Sequence, residues 1–183
     1  TASREVKDAF LDLRDNQGMQ SVILDLRGNG GGLLREAVNI VNLFVEKGQE
    51  VVSTKGKVKD WDKSHKALNA PTDLKIPLTV LIDEGSASAS EIVSGTLQDL
   101  DRAVIIGQMS YGKGLVQQTR NLSYNAKLKV TVAKYYTPSG RCIQKIDYSK
   151  DNEIIVNVDS IITTPFSTDN KRLVYGAGGI TPD

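Results

Sequence analysis

The 183-residue chain is poor in the side chains that most often do chemistry: it holds one cysteine, one histidine, one tryptophan and two methionines. A single cysteine, Cys142, excludes an internal disulfide and any multi-cysteine metal site. The single histidine, His65, lies in Asp62-Lys63-Ser64-His65-Lys66, a polar stretch that reads as an exposed loop. Any Ser-His-Asp triad would have to run through that residue, so a hydrolase built on this chain is expected to use another base. Neither sign of charge dominates: 23 Lys and Arg stand against 22 Asp and Glu, a net charge of +1. That balance gives no electrostatic case for nucleic acid or an anionic membrane as partner. No apolar run approaches the roughly 20 residues that span a bilayer, and no signal-peptide pattern occurs. The chain begins at Thr1 rather than Met and is expected to be a fragment or a processed form. What is present suffices for a core: 39% hydrophobic residues, 25% charged, and a length that suits one domain.

Hydrophobic spacing orders the chain. Val6, Phe10 and Leu13 recur at helical intervals, predicting a helix over 4–16 that stops at Gly18. Short apolar runs at 20–26, 77–83 and 103–107 read as buried strands. Segments 33–47 and 88–100 read as helices, the first ended by Gly48. A strand near 50–54 leads into a lysine-rich stretch, 55–75, expected to be a mobile excursion. Residues 115–121 and 127–136 read as a β-pair, Pro138-Ser139-Gly140 as a turn, and the tail is expected to hold short strands around 153–158. Alternating strands and helices followed by a β-rich half predict an α/β layered domain around a largely parallel sheet. Such folds build their sites in loops at the carboxyl ends of strands. Three loops hold that position: 27–32, 84–88 and 108–114.

The first, Gly28-Asn29-Gly30-Gly31-Gly32, lets the backbone bend and turn N–H groups toward a ligand, although a tight turn explains the glycines equally well. It fails the dinucleotide fingerprint because Leu33 stands where the third glycine belongs. The second, Glu84-Gly85-Ser86-Ala87-Ser88-Ala89-Ser90-Glu91, sets a serine at a helix start. Unpaired N–H groups and the positive end of the helix there favour an oxyanion. On these residues alone the stronger reading is a capping box, Ser88 at N-cap and Glu91 at N3. The third, Gly107-Gln108-Met109-Ser110-Tyr111-Gly112-Lys113-Gly114, matches GxxxxGK of a phosphate-binding loop. It fails where Gly114 replaces the magnesium-holding Ser or Thr, and a β-like run follows where a helix is required.

Together the loops suggest a serine nucleophile, a lysine base and a glycine nest. Serine is a weak nucleophile without a base, and with the one histidine read as an exposed loop residue Lys113 leads the candidates. A lysine base must be neutral, which burial or a positive field at the end of the sheet would favour. Gln117 falls on the same face of an extended segment as Lys113. From there it can accept a hydrogen bond from the amine without adding charge, or it is simply an exposed strand residue.

These stretches resemble the carboxyl-terminal processing (tail-specific) proteases. The matching residues are Leu24 to Leu33, Glu84 to Ile92, Gly112 to Gln117, Tyr135-Tyr136-Thr137-Pro138-Ser139-Gly140-Arg141 and Gly178-Gly179-Ile180-Thr181-Pro182-Asp183, in family order. The resemblance implies a crotonase- or ClpP-like α/β fold. It implies Ser88 as nucleophile, Lys113 as base and Gln117 as its orienting partner. It also implies oxyanion donors from the backbone of Ala89 and of Gly31, with Gly32 left open, and supporting roles for Ser86 and Ser90. It implies cleavage of proteins or peptides near unstructured C-terminal tails, without cofactor or metal, in the periplasm or cell envelope. Gly30 stands where the family usually has proline, and Ser110-Tyr111 where it often has Thr-Phe. Residues 1–183 are expected to be the protease core without its PDZ domain. Two other classes stay open at this point: a P-loop-like nucleotide-binding domain and a crotonase-like acyl-thioester-binding domain.

Overall fold

In the computed structural model, which describes residues 1–145, 164–176 and 178–183, the chain runs α1 (Ala2–Gln17), β1 (Val22–Asp25), α2 (Leu34–Val41), β2 (Glu50–Lys55), β3 (Lys63–Lys66), β4 (Leu78–Ile82), α3 (Ala89–Asp99), β5 (Val104–Gly107), β6 (Leu115–Asn121), β7 (Lys127–Tyr136), β8 (Pro165–Ser167) and β9 (Leu173–Tyr175). The three apolar runs form one parallel sheet, ordered β1-β4-β5. An antiparallel sheet ordered β3-β2-β7-β6 and a small β8-β9 pair complete the described strands. Parallel pairing is therefore confined to three strands, less than the largely parallel sheet expected, because the second half folds back as hairpins. The strands expected around 153–158 lie outside the described residues.

Local chemistry accounts for most boundaries. Gly18 ends α1 in the left-handed conformation, φ 65°, and returns its N–H to Leu13 O. Helix α2 stops at Val41, short of the expected Lys47. The Asn42 side chain there exchanges hydrogen bonds with the backbone of Asn69, Nδ2 to O and Oδ1 from N, both 2.8 Å. Beyond it, Leu43 and Phe44 donate three residues back, to Ile40 and Val41, as the chain tightens into turns. The stretch read as a mobile excursion holds β3, paired antiparallel with β2 through Val52↔His65 and Ser53↔Ser64. His65 is consequently a half-buried strand residue and not an exposed loop histidine. Burial, reinforced by Lys63, lowers its pKa.

Helix α3 is buried along its whole length and packs against both β2 and β5, so it lies between the two larger sheets. Ile92, Val93 and Leu97 join Val51, Val80, Ile82 and Ile105 in one core. Its polar residues are each paired: Thr96 Oγ1 donates to Val51 O at 2.7 Å, and Ser94 Oγ to Ser90 O at 3.0 Å. At its carboxyl end, Arg141 Nη2 meets Asp99 Oδ1 at 2.8 Å with both side chains 1% exposed, and donates to Gln98 Oε1 at 2.7 Å. Removing one member of a buried ion pair leaves an uncompensated charge and costs about 3–5 kcal/mol. Arg141→Ala is expected to lower stability by that amount in urea unfolding, and a change below ~1 kcal/mol would mean that this pair does not anchor α3.

Candidate active site

Because β1, β4 and β5 run parallel, the loops that follow them emerge at one end of the sheet, and hydrogen bonds tie them together. Asp83 Oδ1 accepts the Gly28 N–H at 2.8 Å and the Gly85 N–H at 2.9 Å, joining the first loop to the second. Those backbone bonds, Gly28 first, hold the Asp83 carboxyl below the usual carboxylate range. The Ser86 hydroxyl is buried and donates to Leu26 O at 2.7 Å. Ser90 Oγ and Ala87 N–H both donate to Asn29 O, at 2.9 and 3.0 Å. Arg27 closes on Asp25 through Nη2 to Oδ2 at 2.7 Å and holds the Asp25 carboxyl down to about 2. Both carboxylates therefore stay charged in mild acid, and their ties weaken only as pH falls through the lowered values.

Ser88 begins α3 with φ 57° and ψ −111°. A residue with a Cβ held there stores about 1–3 kcal/mol of strain. Ser88 and Glu91 form the expected capping box, Glu91 Oε2 accepting the Ser88 N–H at 2.8 Å. Gly31 packs directly on this turn, with φ 92°. A Cβ at Gly31 would lie 2.7 Å from Ala89 N and 2.9 Å from Ser88 Cβ, so only glycine brings the first loop this close. The Gly31 N–H donates to Asn29 Oδ1 at 2.9 Å. Among the described residues no acceptor takes the N–H of Gly32 or of Ala89.

The third loop reaches the second through Glu91, which is fully buried. Its Oε1 accepts from Ser110 Oγ and from Gly112 N–H, both at 2.6 Å. Its Oε2 accepts the Lys113 N–H at 2.8 Å beside the bond from Ser88. One carboxylate thus joins the backbones of Ser88 and Lys113. Tyr111 N–H adds a bond to Ser86 O at 3.0 Å. The glycines flanking Lys113 are packed against the segment 144–145: a Cβ on Gly112 would lie 2.6 Å from Lys145 Cβ, and one on Gly114 2.6 Å from Gln144 N.

The structure thus brings Gly31 against Ser88 and Ala89, sets Gly32 at the same cavity as Ala89, and ties the Lys113 backbone to the Ser88 backbone through the Glu91 carboxylate. It does not join the side chains. Lys113 is exposed, without the burial expected of a neutral base, and Gln117 is exposed on β6. Among the described residues neither makes a side-chain hydrogen bond to the other or to Ser88. A strand, β6, follows Gly114 directly where a phosphate-binding loop would open a helix, which removes the P-loop geometry. Sequence reasoning missed Asp83 and saw Glu91 only as a helix cap. The Asp-x-Gly-Ser spacing at 83–86 is a turn signal that pointed to the first. Nothing local pointed to the other three bonds of Glu91.

Beside these loops lies a cavity of about 320 Å³ bordered by Gly31, Gly32 and Ala89 and walled by Leu26, Leu33, Ala37, Ile40 and Val93. Its lining is mainly apolar, suited to an aliphatic side chain.

Residues 1–154 match the peptidase family S41. A probable CtpA-like serine protease of Staphylococcus epidermidis is 44% identical over 143 residues, 77% of this chain and 28% of that protein. A carboxy-terminal-processing protease of Bartonella bacilliformis is 50% identical over 134 residues, 73% of this chain and 30% of that protein. Among solved structures, a photosystem II D1 C-terminal processing protease superposes with a TM-score of 0.70 at 36% identity, covering 78% of this chain and 36% of that one. The chain spans under a third of the length of these two curated relatives.

Proposed function

We propose, from the premise that this chain belongs to peptidase family S41, that it is the core of a serine endopeptidase that cleaves protein substrates near their C-termini. Ser88 Oγ attacks the scissile carbonyl as Lys113 takes its proton, the tetrahedral adduct collapses with the C–N bond breaking and Lys113 passing that proton to the departing amine, and water then hydrolyses the acyl-enzyme on Ser88 with Lys113 again as base. The unpaired N–H groups of Ala89 and Gly32 are the donors for the tetrahedral oxyanion. The cavity beside them takes the side chain on the acyl side of the cleaved bond and favours small or medium apolar groups. The observation that carries this reading is the strained Ser88 turn, packed against Gly31 beside the cavity that Gly31, Gly32 and Ala89 border, where the N–H groups of Gly32 and Ala89 have no acceptor among the described residues. Strain of this kind persists where surrounding structure imposes it, and it clusters at active sites. A layering of the crotonase or ClpP type, and work in the periplasm or cell envelope on unstructured tails, belong to the same proposal.

In this reading the exposed Lys113 side chain swings toward Ser88 when substrate covers the site, which excludes water and favours the neutral amine. Gln117 then orients that amine. The test uses the full-length protein that carries this chain, with an apolar-ended peptide as substrate. Lys113→Ala and Lys113→Arg are both expected to lose turnover while remaining folded, since guanidinium keeps its proton. In the wild type, kcat is expected to rise with pH along an alkaline limb, because only an unprotonated base in the substrate complex can take the Ser88 proton. Gln117→Ala is expected to lose less activity than Lys113→Ala. Gln117→Glu places a carboxylate beside the amine, stabilises the ammonium and moves the limb to higher pH. Normal turnover in Lys113→Arg would remove the base from the mechanism, and an unmoved limb in Gln117→Glu would remove the contact.

A further inference from the structure

We propose that Asn29 is a positioning residue for the oxyanion site, acting through its side chain on the peptide between Gly31 and Gly32; this rests on the serine-peptidase reading above. A backbone N–H makes one strong hydrogen bond. In the first loop the Gly31 N–H is already committed to Asn29 Oδ1 at 2.9 Å, an Asx turn across two residues. Gly31 is also the glycine in contact with Ser88 and Ala89, where its φ of 92° and its missing Cβ are both required. Among the described residues the N–H groups of Gly30 and Gly32 are the loop's donors without an acceptor, and of these two glycines Gly32 borders the cavity, together with Ala89 and Asn29.

Three further bonds hold Asn29 itself. Its N–H donates to Leu26 O at 3.1 Å, and its carbonyl accepts from Ala87 N–H at 3.0 Å and Ser90 Oγ at 2.9 Å. These use backbone atoms, so a change of side chain leaves them in place. The Asn29 backbone is thereby fixed to the nucleophile turn, and its carboxamide carries that fixed position two residues on. Without it, a run of three glycines has little to define the direction of the Gly32 N–H. A donor aimed in advance at the developing charge acts without reorganisation, whereas a wandering one must be ordered in each turnover. Asn29 touches neither the attacking hydroxyl nor the base, and it is exposed, so truncation opens no cavity in the core.

The test has two parts. In this chain, amide hydrogen exchange is expected to show a protected Gly31 N–H and an unprotected Gly32 N–H, with Gly31 losing its protection in Asn29→Ala. In the full-length protein, Asn29→Ala is expected to lower kcat about 10–100-fold with KM within twofold. Affinity for a peptide aldehyde, which forms a tetrahedral adduct, is expected to fall in parallel, while affinity for the product peptide stays unchanged. Asn29→Ser, whose hydroxyl can accept the same N–H, is expected to restore part of kcat. A kcat within twofold of wild type in Asn29→Ala, a rise in kcat, or a loss lying wholly in KM would overturn the assignment. Full turnover in Ser88→Ala is a different result and would overturn the peptidase reading on which it rests.

Discussion

Ser88→Ala is expected to abolish peptide cleavage and leave the fold intact. The loss expected for a covalent nucleophile is on the order of 10⁶-fold in kcat. The stability change is small by comparison: losing an N-cap hydroxyl costs ~1 kcal/mol, and the Glu91 bond to the Ser88 backbone survives the substitution. If Ser88 were only a cap, the same variant would lose that stability and retain its turnover once folded. Ser86→Ala and Ser90→Ala provide the internal contrast. Their hydroxyls are already spent on Leu26 O and Asn29 O, so both variants should keep measurable activity. A further variant separates strain from chemistry. Glycine occupies φ 57° freely, so Ser88→Gly should be as inactive as Ser88→Ala but more stable than it, by about 1 kcal/mol or more. Thermal denaturation of the two variants side by side checks this, and a less stable Gly variant would mean that the turn holds no strain.

Replacement of Glu91 carries the second large effect, on both stability and rate. Its carboxylate receives four hydrogen bonds, from Ser88, Ser110, Gly112 and Lys113. Glu91→Ala strands all four donors. Those on Ser110 and Gly112 are buried, and an unsatisfied buried donor costs about 1–3 kcal/mol. A loss of roughly 2–6 kcal/mol is therefore expected in denaturant unfolding. Glu91→Gln keeps the volume and one acceptor but turns the other oxygen into an NH₂ group. Whichever way the amide settles, that group faces two donors, the Ser88 and Lys113 N–H groups in one orientation and Ser110 Oγ with the Gly112 N–H in the other, and in both the third loop loses part of its tie to α3. Since the third loop carries Lys113 and α3 begins at Ser88, kcat is expected to fall at least 100-fold in Glu91→Gln even where the protein remains folded, because small misplacements of reacting groups have effects of that size. Near-normal kcat in Glu91→Gln would show that the two loops are held together by other contacts.

Much of this arrangement was legible in the residues. The parallel strands announced themselves as short β-branched runs, and the left-handed stop at Gly18 as a glycine after a periodic segment. The three loops followed from the rule that sites gather at strand carboxyl ends. The middle of the chain was not legible in the same way. Lys63-Ser64-His65-Lys66 has no apolar alternation because it is an edge strand with one neighbour, β2, and its polarity read as a loop. The early end of α2 was hidden because its cause, Asn69, lies 27 residues away from Asn42. At the site, the local pattern Ser-Ala-Ser-Glu displayed one of the four bonds of Glu91. The rest depend on the return of the chain 19 to 22 residues later, which no local pattern records. The long-range glycine contacts were equally hidden: Gly31 reads as loop freedom, whereas its structural role is close approach to Ser88.

A covalent intermediate at Ser88 is the central step of the proposed reaction. Full-length protein mixed with an ester-activated peptide and quenched in acid within the burst phase can be digested and mapped by mass spectrometry. The expected result is an acyl group on the peptide that contains Ser86, Ser88 and Ser90, with fragmentation placing it on Ser88. The adduct should be absent in Ser88→Ala and should form only slowly in Lys113→Ala. An acyl group on Ser86 or Ser90, or steady turnover in Ser88→Ala with no adduct at any serine, would contradict it.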